Sequence, residues 1–330
     1  MLVPVLLFIV GLVCLIKGGD WFVDGAAGIA KRFHMPQILV GATVVSIGTT
    51  LPEVMVSASS AVSGHGEIAY GNAIGSIICN TALIAAITIA IKPSDVERKS
   101  LVMPTFFFFV AAVFYSAVAY FSGSFSRLTG ILLLMLFVIY MFLTVRQAVK
   151  SPGDGENPAG ATSLADAPET EEKEKALWLL IVLLIIGAAL IAVGADLLVD
   201  NGTLIAAALG VPESVIALTF VALGTSLPEL VTAITSLAKG YGALSLGNVI
   251  GANLFNLVLV CGVSCTLSPF AVPIGKKLGA YPASFVIDIP LMLIVMGILT
   301  IPALIRGKLS RLQGVLLLVL YASFCIFQFM

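Results

Sequence analysis

The dominant pattern along the chain is a series of long apolar runs separated by short polar stretches. An α-helix needs about 20 residues to cross the hydrocarbon core of a bilayer. Runs of this length or slightly more lie at residues 3–30, 37–62, 67–91, 101–121, 128–149, 177–201, 211–238, 243–268, 281–304 and 311–329. The pattern predicts an all-α polytopic membrane protein with ten transmembrane helices.

A polar stretch divides the runs into two groups of five. Residues 151–176 are rich in proline, glycine and acidic side chains, a composition typical of a disordered linker. We therefore predict a first five-helix unit at residues 1–150, a linker at 151–176 and a second five-helix unit at 177–330.

The two groups are also related by sequence, at a constant offset of 176 residues. Gly48-Thr49-Thr50-Leu51-Pro52-Glu53 returns as Gly224-Thr225-Ser226-Leu227-Pro228-Glu229. A second element, Gly71-Asn72-Ala73-Ile74-Gly75, returns as Gly247-Asn248-Val249-Ile250-Gly251. The repeated motifs cover residues 41–84 and 217–260. Because five spans is an odd number, the second unit must insert upside down, and inverted repeats are typical of secondary transporters with a site at mid-membrane.

Composition and charge agree with a membrane protein and give it an orientation. Hydrophobic residues make up 59% of the chain and charged residues 11%, with a mean hydropathy of +1.12, whereas soluble domains carry about 25% charged residues. With the N-terminus outside, the inward loops hold thirteen Lys and Arg and the outward loops three. This positive-inside bias predicts a plasma (inner) membrane protein with both termini outside and the linker in the cytoplasm.

Other classes find no support in the sequence. No basic patch is interleaved with aromatic residues, so a nucleic-acid partner is not indicated. The five cysteines are dispersed in apolar runs, which favours helix packing over a disulfide or a metal framework. The N-terminus lacks the basic region of a secretory signal, so the first run is interpreted as a retained helix.

The repeated motifs combine groups that are costly inside a membrane. An intramembrane carboxylate is by default a functional-site hypothesis, and a helical proline leaves a backbone carbonyl without its hydrogen bond. The candidate ligands are the carboxylates, hydroxyls and amides of the two motifs, namely Glu53, Glu229, Thr49, Thr50, Thr225, Ser226, Ser76, Asn80 and Asn256. Such oxygen ligands suit calcium, magnesium or alkali cations.

Each of these features taken alone has a structural explanation, such as a kink, close helix packing or a hydroxyl bonded to its own backbone. Their coincidence and recurrence at one offset favour an ion pocket built from two halves. Asp20, Asp24, Asp196 and Asp200 repeat as well, in the first helix of each unit. For them, helix–helix hydrogen bonding and a role in ion entry or helix movement both remain open.

The two motifs resemble the paired alpha repeats of the sodium/calcium exchanger family, within the calcium/cation antiporter superfamily. The resemblance implies an antiporter, not an enzyme, that binds sodium and calcium in mutually exclusive fashion and needs no cofactor or protein partner. It implies that Glu53 and Glu229 bind calcium. It further implies flanking sodium sites at the hydroxyls of Thr49 and Thr225 and the carbonyls of Ser46 and Ala222, with a first-helix pair that slides across the core.

Two positions depart from the expected pattern. Ala252 stands where the repeat of Ser76 predicts a hydroxyl, and Asn256 stands where potassium-dependent relatives carry an aspartate. The resemblance therefore implies potassium-independent calcium extrusion. A calcium/proton antiporter of the same superfamily is the nearest alternative, and a cation channel is a remote one, since the ligands come as one inverted pair and not as a ring.

Overall fold

The computed structural model describes residues 2–93, 95–150, 176–209 and 224–329. Its helices are α1 Leu2–Arg32, α2 Gln37–Val40, α3 Ser46–Val62, α4 Gly66–Cys79, α5 Ala86–Ile91, α6 Arg98–Ser122, α7 Arg127–Lys150, α8 Leu177–Ala208, α9 Leu227–Ala238, α10 Gly242–Phe255, α11 Gly262–Leu267, α12 Ile289–Arg306 and α13 Arg311–Phe329. Within the described ranges, four π-helical segments join some of these helices, at Gly41–Val45, Asn80–Ala85, Asn256–Cys261 and Ser284–Asp288.

The predicted spans are present as long apolar helices. In the described part of the chain, nine continuous helices are long and apolar enough to cross a bilayer. A further apolar helix, α9, covers the end of the predicted run 211–238, whose beginning lies outside the described residues. The expected all-α polytopic membrane protein is confirmed, whereas residues 151–175 of the linker predicted at 151–176 lie outside the described residues.

The inner helices are those that carry the repeated motifs. In its most apolar window, the span Gly242–Leu267 is 83% buried and the span Gly66–Ile91 is 72% buried, against 22% for Leu2–Arg32. The main hydrophobic core lies around these inner helices, with large buried side chains such as Tyr115, Phe108 and Phe255. The two helices that carry the second repeated element are therefore the most deeply buried of the described spans.

The sequence repeat is accompanied by a repeat of the local backbone conformation. Helix α4, the π-helical segment Asn80–Ala85 and α5 have the same lengths as α10, the segment Asn256–Cys261 and α11. The turns that precede α4 and α10 contain Gly64 and Gly240, each with φ of +83°. A left-handed φ favours glycine because it has no Cβ, so the same residue type recurs at the same turn.

Helices α1 and α8 form a pair at the edge of the molecule. A methyl group on Gly18 would lie 2.9 Å from the carbonyl oxygen of Gly187, and one on Gly11 would lie 2.9 Å from that of Gly194. Small residues let two membrane helices approach this closely. The pair shares a hydrophobic cluster that is separate from the main core and also includes Val40, Val45 and Leu244 of the inner helices.

Short antiparallel strand pairs lie in the connections at one end of the helices. Their bounds are β1 Ser124–Phe125, β2 Phe270–Ala271, β3 Lys277–Leu278 and β4 Tyr281–Pro282. Strand β1 pairs with β2, with Ser124 opposite Ala271, and β3 pairs with β4. The β1–β2 pair joins a connection of the first unit to one of the second.

Candidate cation site

Two glutamates meet at the centre of the molecule, one from each half. Glu53 lies inside α3 and Glu229 lies in the first turn of α9. Both side chains are fully buried and their carboxyl groups lie next to each other. None of the four carboxylate oxygens has a hydrogen-bond partner among the described residues. Adjacent buried carboxylates of this kind need a compensating positive charge.

Neutral polar atoms without partners accompany the glutamates in both halves. The hydroxyls of Thr50 and Ser226 are buried and form no hydrogen bond to any described residue. The same holds for both amide atoms of Asn80 and of Asn256. Thr50 and Ser226, like Asn80 and Asn256, are counterparts at the offset of 176. The described structure thus leaves the same three kinds of side chain unpartnered in each half.

The packing of the helices brings ligands of one half to the other. Helix α3, with Glu53, packs against the π-helical segment that begins at Asn256. Helix α9, with Glu229, packs against the segment that begins at Asn80. Single π-helical turns within α-helices are frequent at functional sites. Here Asn80 and Asn256 each stand at the first residue of such a segment, where the α-helix changes to a π-helix.

The two prolines take different places in the helices. Pro228 is in the first turn of α9, and Thr225 and Ser226 precede the helix. Pro52 lies inside α3, which continues through it. Because proline has no N–H, the carbonyl four residues before Pro52, that of Gly48, loses its usual helical donor.

Two asparagines of the second repeated element connect the halves. Thr49 Oγ1 donates to Asn248 Oδ1 at 3.3 Å, and Thr225 Oγ1 donates to Asn72 Oδ1 at 3.2 Å. Each bond joins a motif of one half to a motif of the other. Sequence reasoning placed Asn72 and Asn248 in the motif but not among the site residues. Their recurrence in the Gly-Asn pair was the available signal.

The remaining predicted residues are placed less symmetrically. The hydroxyl of Ser46 donates to the carbonyl oxygens of Gly41 at 2.7 Å and Asn248 at 3.0 Å. Ser76 is buried in α4, and its counterpart Ala252 is fully buried in α10. Ala222, the counterpart of Ser46, lies outside the described residues.

Glycines allow α10 to approach the first motif closely. A methyl group on Gly251 would lie 2.5 Å from Ala42 Cα and would also meet Ser46 Oγ. One on Gly247 would meet the backbone of Ile38. No side chain fits at either contact, so Gly247 and Gly251 bring α10 of one half against the first motif of the other.

The site has few charged ligands. The described residues contain no group of three or more His, Cys, Asp and Glu side chains that could hold a metal ion. The Thr49 hydroxyl lies beside the Glu229 carboxyl. An ion bound here would meet two carboxylates and otherwise neutral oxygens, a ligand set that suits calcium or alkali cations.

A buried candidate cation site between two repeat-related halves of a polytopic helical protein is typical of a membrane cation transporter. The family model described as "Sodium/calcium exchanger protein" matches residues 3–146 and 179–330. The chain therefore belongs to the sodium/calcium exchanger family, which confirms the resemblance seen in the motifs.

Individual relatives cover almost the whole chain. A membrane protein of Methanocaldococcus jannaschii is 35% identical, over 95% of this chain and 94% of its own. The sodium/calcium exchanger MaX1 of Methanosarcina acetivorans is 30% identical, over 98% of both chains. A solved structure of the sodium-calcium exchanger NCX_Mj, soaked with Na⁺ and Sr²⁺, is 33% identical, with a TM-score of 0.78 and 97% of each chain covered.

Proposed function

We propose that this protein exchanges sodium for calcium across the membrane by alternating access, with Glu53 and Glu229 as the calcium ligands. The observation that carries the proposal is the pair of adjacent, fully buried carboxylates, whose four oxygens have no partner among the described residues. A divalent cation between them offsets both charges and satisfies the oxygens.

The other polar groups divide into two sets. Thr50, Ser226, Asn80 and Asn256 have unpartnered atoms and line the central position with the glutamates. Thr49, Thr225, Ser46 and Ser76 flank it and form the sodium positions. The repeat assigns the carbonyl of Ala222, which lies outside the described residues, to the same set. In the second set, the Thr49 and Thr225 hydroxyls contact asparagines of the opposite half, and rotation of either hydroxyl would present its oxygen to an ion.

Charge balance explains why the two ions exclude each other. The pocket carries a formal charge of −2 from Glu53 and Glu229, while Asn80 and Asn256 are neutral. One Ca²⁺ or two Na⁺ offset this charge, and both sets together would leave excess positive charge in a low-dielectric interior. Since no aspartate stands at position 256, we propose that potassium is not transported.

The comparisons support sodium as the counter-ion. The relative from Methanosarcina acetivorans is named a sodium/calcium exchanger, and the solved neighbour is a sodium-calcium exchanger soaked with Na⁺. None of these relatives is named as a proton exchanger. We place the protein in the plasma membrane with both termini outside, as the charge count predicts.

Alternating access needs an element that moves past the site. The α1/α8 pair meets this need because its two helices pack on each other through glycine backbones and share a separate hydrophobic cluster. Phe22 of α1 and Ala188 of α8 line a small cavity together with Gly48, Pro52 and Pro228 of the motifs. Displacement of the pair would therefore open the site to one side or the other.

Calcium flux in reconstituted vesicles tests the proposal. Sodium, potassium and pH gradients are imposed one at a time on calcium-loaded vesicles. We expect a sodium gradient alone to drive calcium efflux and a potassium gradient to have no effect. Efflux driven by a pH gradient without sodium would replace the proposal with proton exchange. Calcium currents without any counter-ion would replace it with a channel.

A further inference from the structure

An ion pair joins α1 to α9 at one end of the molecule, away from the cation site. Lys239, the residue after α9, has its Nζ 2.7 Å from Asp24 Oδ1 and 3.4 Å from Asp20 Oδ1. It also donates a hydrogen bond to the Asp20 backbone oxygen at 3.0 Å. The lysine side chain is 26% exposed and the aspartates 39% and 37%, so all three are partly withdrawn from solvent.

The ion pair continues an apolar contact between the same two helices. A methyl group on Gly19 of α1 would lie 2.8 Å from Val231 Cγ1 and 2.9 Å from Thr235 Oγ1 of α9. Val231, Thr235 and Lys239 are four residues apart, so they follow one another along one face of the helix. The lysine thus closes the end of a tight helix–helix contact.

The other half of the molecule has the aspartates but not the lysine. Asp196 and Asp200 of α8 are the counterparts of Asp20 and Asp24 at the offset of 176, and Ser63 is the counterpart of Lys239. Within the described residues, neither Asp196 nor Asp200 forms an ion pair, and both are exposed. Among the described residues, the first helix of a unit is therefore held by such a lysine in only one of the two halves.

This difference matters because inverted repeats exchange conformations during transport. When such a transporter is closed on one side of the membrane, one half makes the closing contact. When it is closed on the opposite side, the other half makes the equivalent contact. An ion pair present in only one of the two arrangements lowers the free energy of that arrangement alone. The equilibrium between the two access states then shifts by the differential interaction energy.

We propose that Lys239 is a positioning residue that clasps α1 to α9 through Asp20 and Asp24 and so biases the transporter toward the state shut on its own side. This inference rests on the proposed function and adds a residue outside the ion pocket. The charge count puts Lys239 on the cytoplasmic side. The clasp opens each time the cytoplasmic side opens, and its loss makes that opening easier.

Apparent calcium affinity on the two membrane faces tests the clasp. An ion that binds a partly populated state shows an apparent affinity reduced by that population. In vesicles of determined orientation, Lys239→Ser should lower the calcium KM on the lysine face and raise it on the other. The ratio of the two KM values should change by about 1.4- to fivefold, the effect of an ion pair of this exposure.

The repeat itself supplies matched controls. Lys239→Arg keeps the charge and should keep the ratio of KM values. Ser63→Lys places a cation opposite Asp196 and Asp200 and should change the ratio in the opposite direction. Asp20→Asn with Asp24→Asn should match Lys239→Ser, and combining all three should add nothing further. A Lys239→Ser protein with an unchanged KM ratio, whatever its thermal stability, would overturn the clasp.

Failure of the clasp and failure of the proposed function give different results. Wild-type vesicles without sodium-driven calcium flux would overturn the exchange function. Normal flux with an unchanged KM ratio would overturn only the clasp. Hydrogen exchange measured by mass spectrometry monitors the contact between α1 and α9 independently of transport. We expect faster exchange at the ends of α1 and α9 near Lys239 in Lys239→Ser, and equal exchange would contradict the inference.

Discussion

The two halves of the candidate cation site leave the same kinds of side chain unpartnered but hold their bridging asparagines differently. Asn72 Nδ2 donates to the Ser57 hydroxyl at 2.8 Å and to the Glu53 carbonyl oxygen at 3.3 Å. Its counterpart, Asn248 Nδ2, has no partner among the described residues. The reason is visible in the sequence, because Ala233 stands at the position that corresponds to Ser57.

The second half compensates through a different residue. The Ser46 hydroxyl lies 3.0 Å from the backbone oxygen and 3.4 Å from the side-chain oxygen of Asn248, whereas its counterpart Ala222 has no hydroxyl. Each asparagine is therefore fixed by a serine that the other half lacks. Glutamate, asparagine and hydroxyl side chains are left unpartnered in both halves, whereas the serines that hold the bridging asparagines differ. The proposed calcium ligands are therefore the symmetric part of the site, and the supports of the asparagines are the asymmetric part.

The largest effect is expected from the symmetric part of the site. Glu53→Gln or Glu229→Gln leaves a formal charge of −1 opposite a divalent ion. We expect calcium exchange to fall by about 100-fold or more in each variant, because breaking a buried charge pair costs about 3–5 kcal/mol. Sodium-driven calcium flux in vesicles measures the loss.

A control separates this loss from a general effect of intramembrane acids. Asp288 is an acid in another span with an unpartnered Oδ1, and it has no counterpart in the repeat. Asp288→Asn should retain exchange. If folded Glu53→Gln and Glu229→Gln proteins exchanged calcium at the wild-type rate, the two glutamates would not be the ligands.

A smaller effect is expected where the halves press against each other. Gly251→Ala places a methyl group 2.5 Å from Ala42 Cα and against the Ser46 hydroxyl. Overpacking of this kind costs about 1–3 kcal/mol, so the Tm in detergent should fall by several degrees. Gly297→Ala is the matched control, since its methyl would meet only Ile301 Cδ1 at 3.6 Å. Equal Tm values for the two variants would contradict the close contact.

The difference between Ser76 and Ala252 can be reversed. Ala252→Ser supplies the hydroxyl that the second half lacks, and Ser76→Ala removes that of the first. We expect the sodium concentration for half-maximal exchange to fall about fivefold in the former and to rise about fivefold in the latter, the value of one hydrogen-bonding group. Sodium titrations of calcium flux provide the measurement. If the two substitutions changed only the calcium KM and left the half-maximal sodium concentration unchanged, neither position would contribute to sodium binding.

The smallest effect concerns the framework. Ser57→Ala removes a partner of Asn72 and should lower the free energy of unfolding by about 1 kcal/mol. Ala233→Ser offers Asn248 Nδ2 the missing acceptor and should raise it by a similar amount. Thermal unfolding of both variants, with calcium flux as the second readout, tests the pair. A destabilised Ser57→Ala protein together with a stabilised Ala233→Ser protein would support the difference between the two asparagines. Two destabilised proteins would contradict it.

Much of the fold follows from local sequence patterns. The apolar runs match the described helices, and the offset of 176 also relates the lengths of α4 and α10 and the turns at Gly64 and Gly240. The glutamates of the two motifs lie side by side, as expected if each half contributes one carboxylate to a shared pocket. The π-helical segments were not predicted, since one extra residue in a turn leaves no clear mark in an apolar run.

The contacts across the halves could not be predicted in the same way. Asn248 was recognised as part of a motif, but its bonds to Ser46 and Thr49 join positions about 200 residues apart. Lys239 was counted only as a loop charge, and its partner Asp24 is 215 residues away. Residues this far apart in the sequence show no periodic pattern from which their contact could be predicted.

The sequence by itself determined the membrane-spanning helices, the repeat, the carboxylate pair and the missing hydroxyl at Ala252. Each of these depends on residue type or on a regular spacing along one chain. Tertiary structure alone decided which polar atoms are left without partners, how Asn72 and Asn248 connect the halves, and that Lys239 reaches α1. These depend on the packing of separate helices, because burial and hydrogen bonding are settled only when side chains from distant parts of the chain compete for the same neighbours.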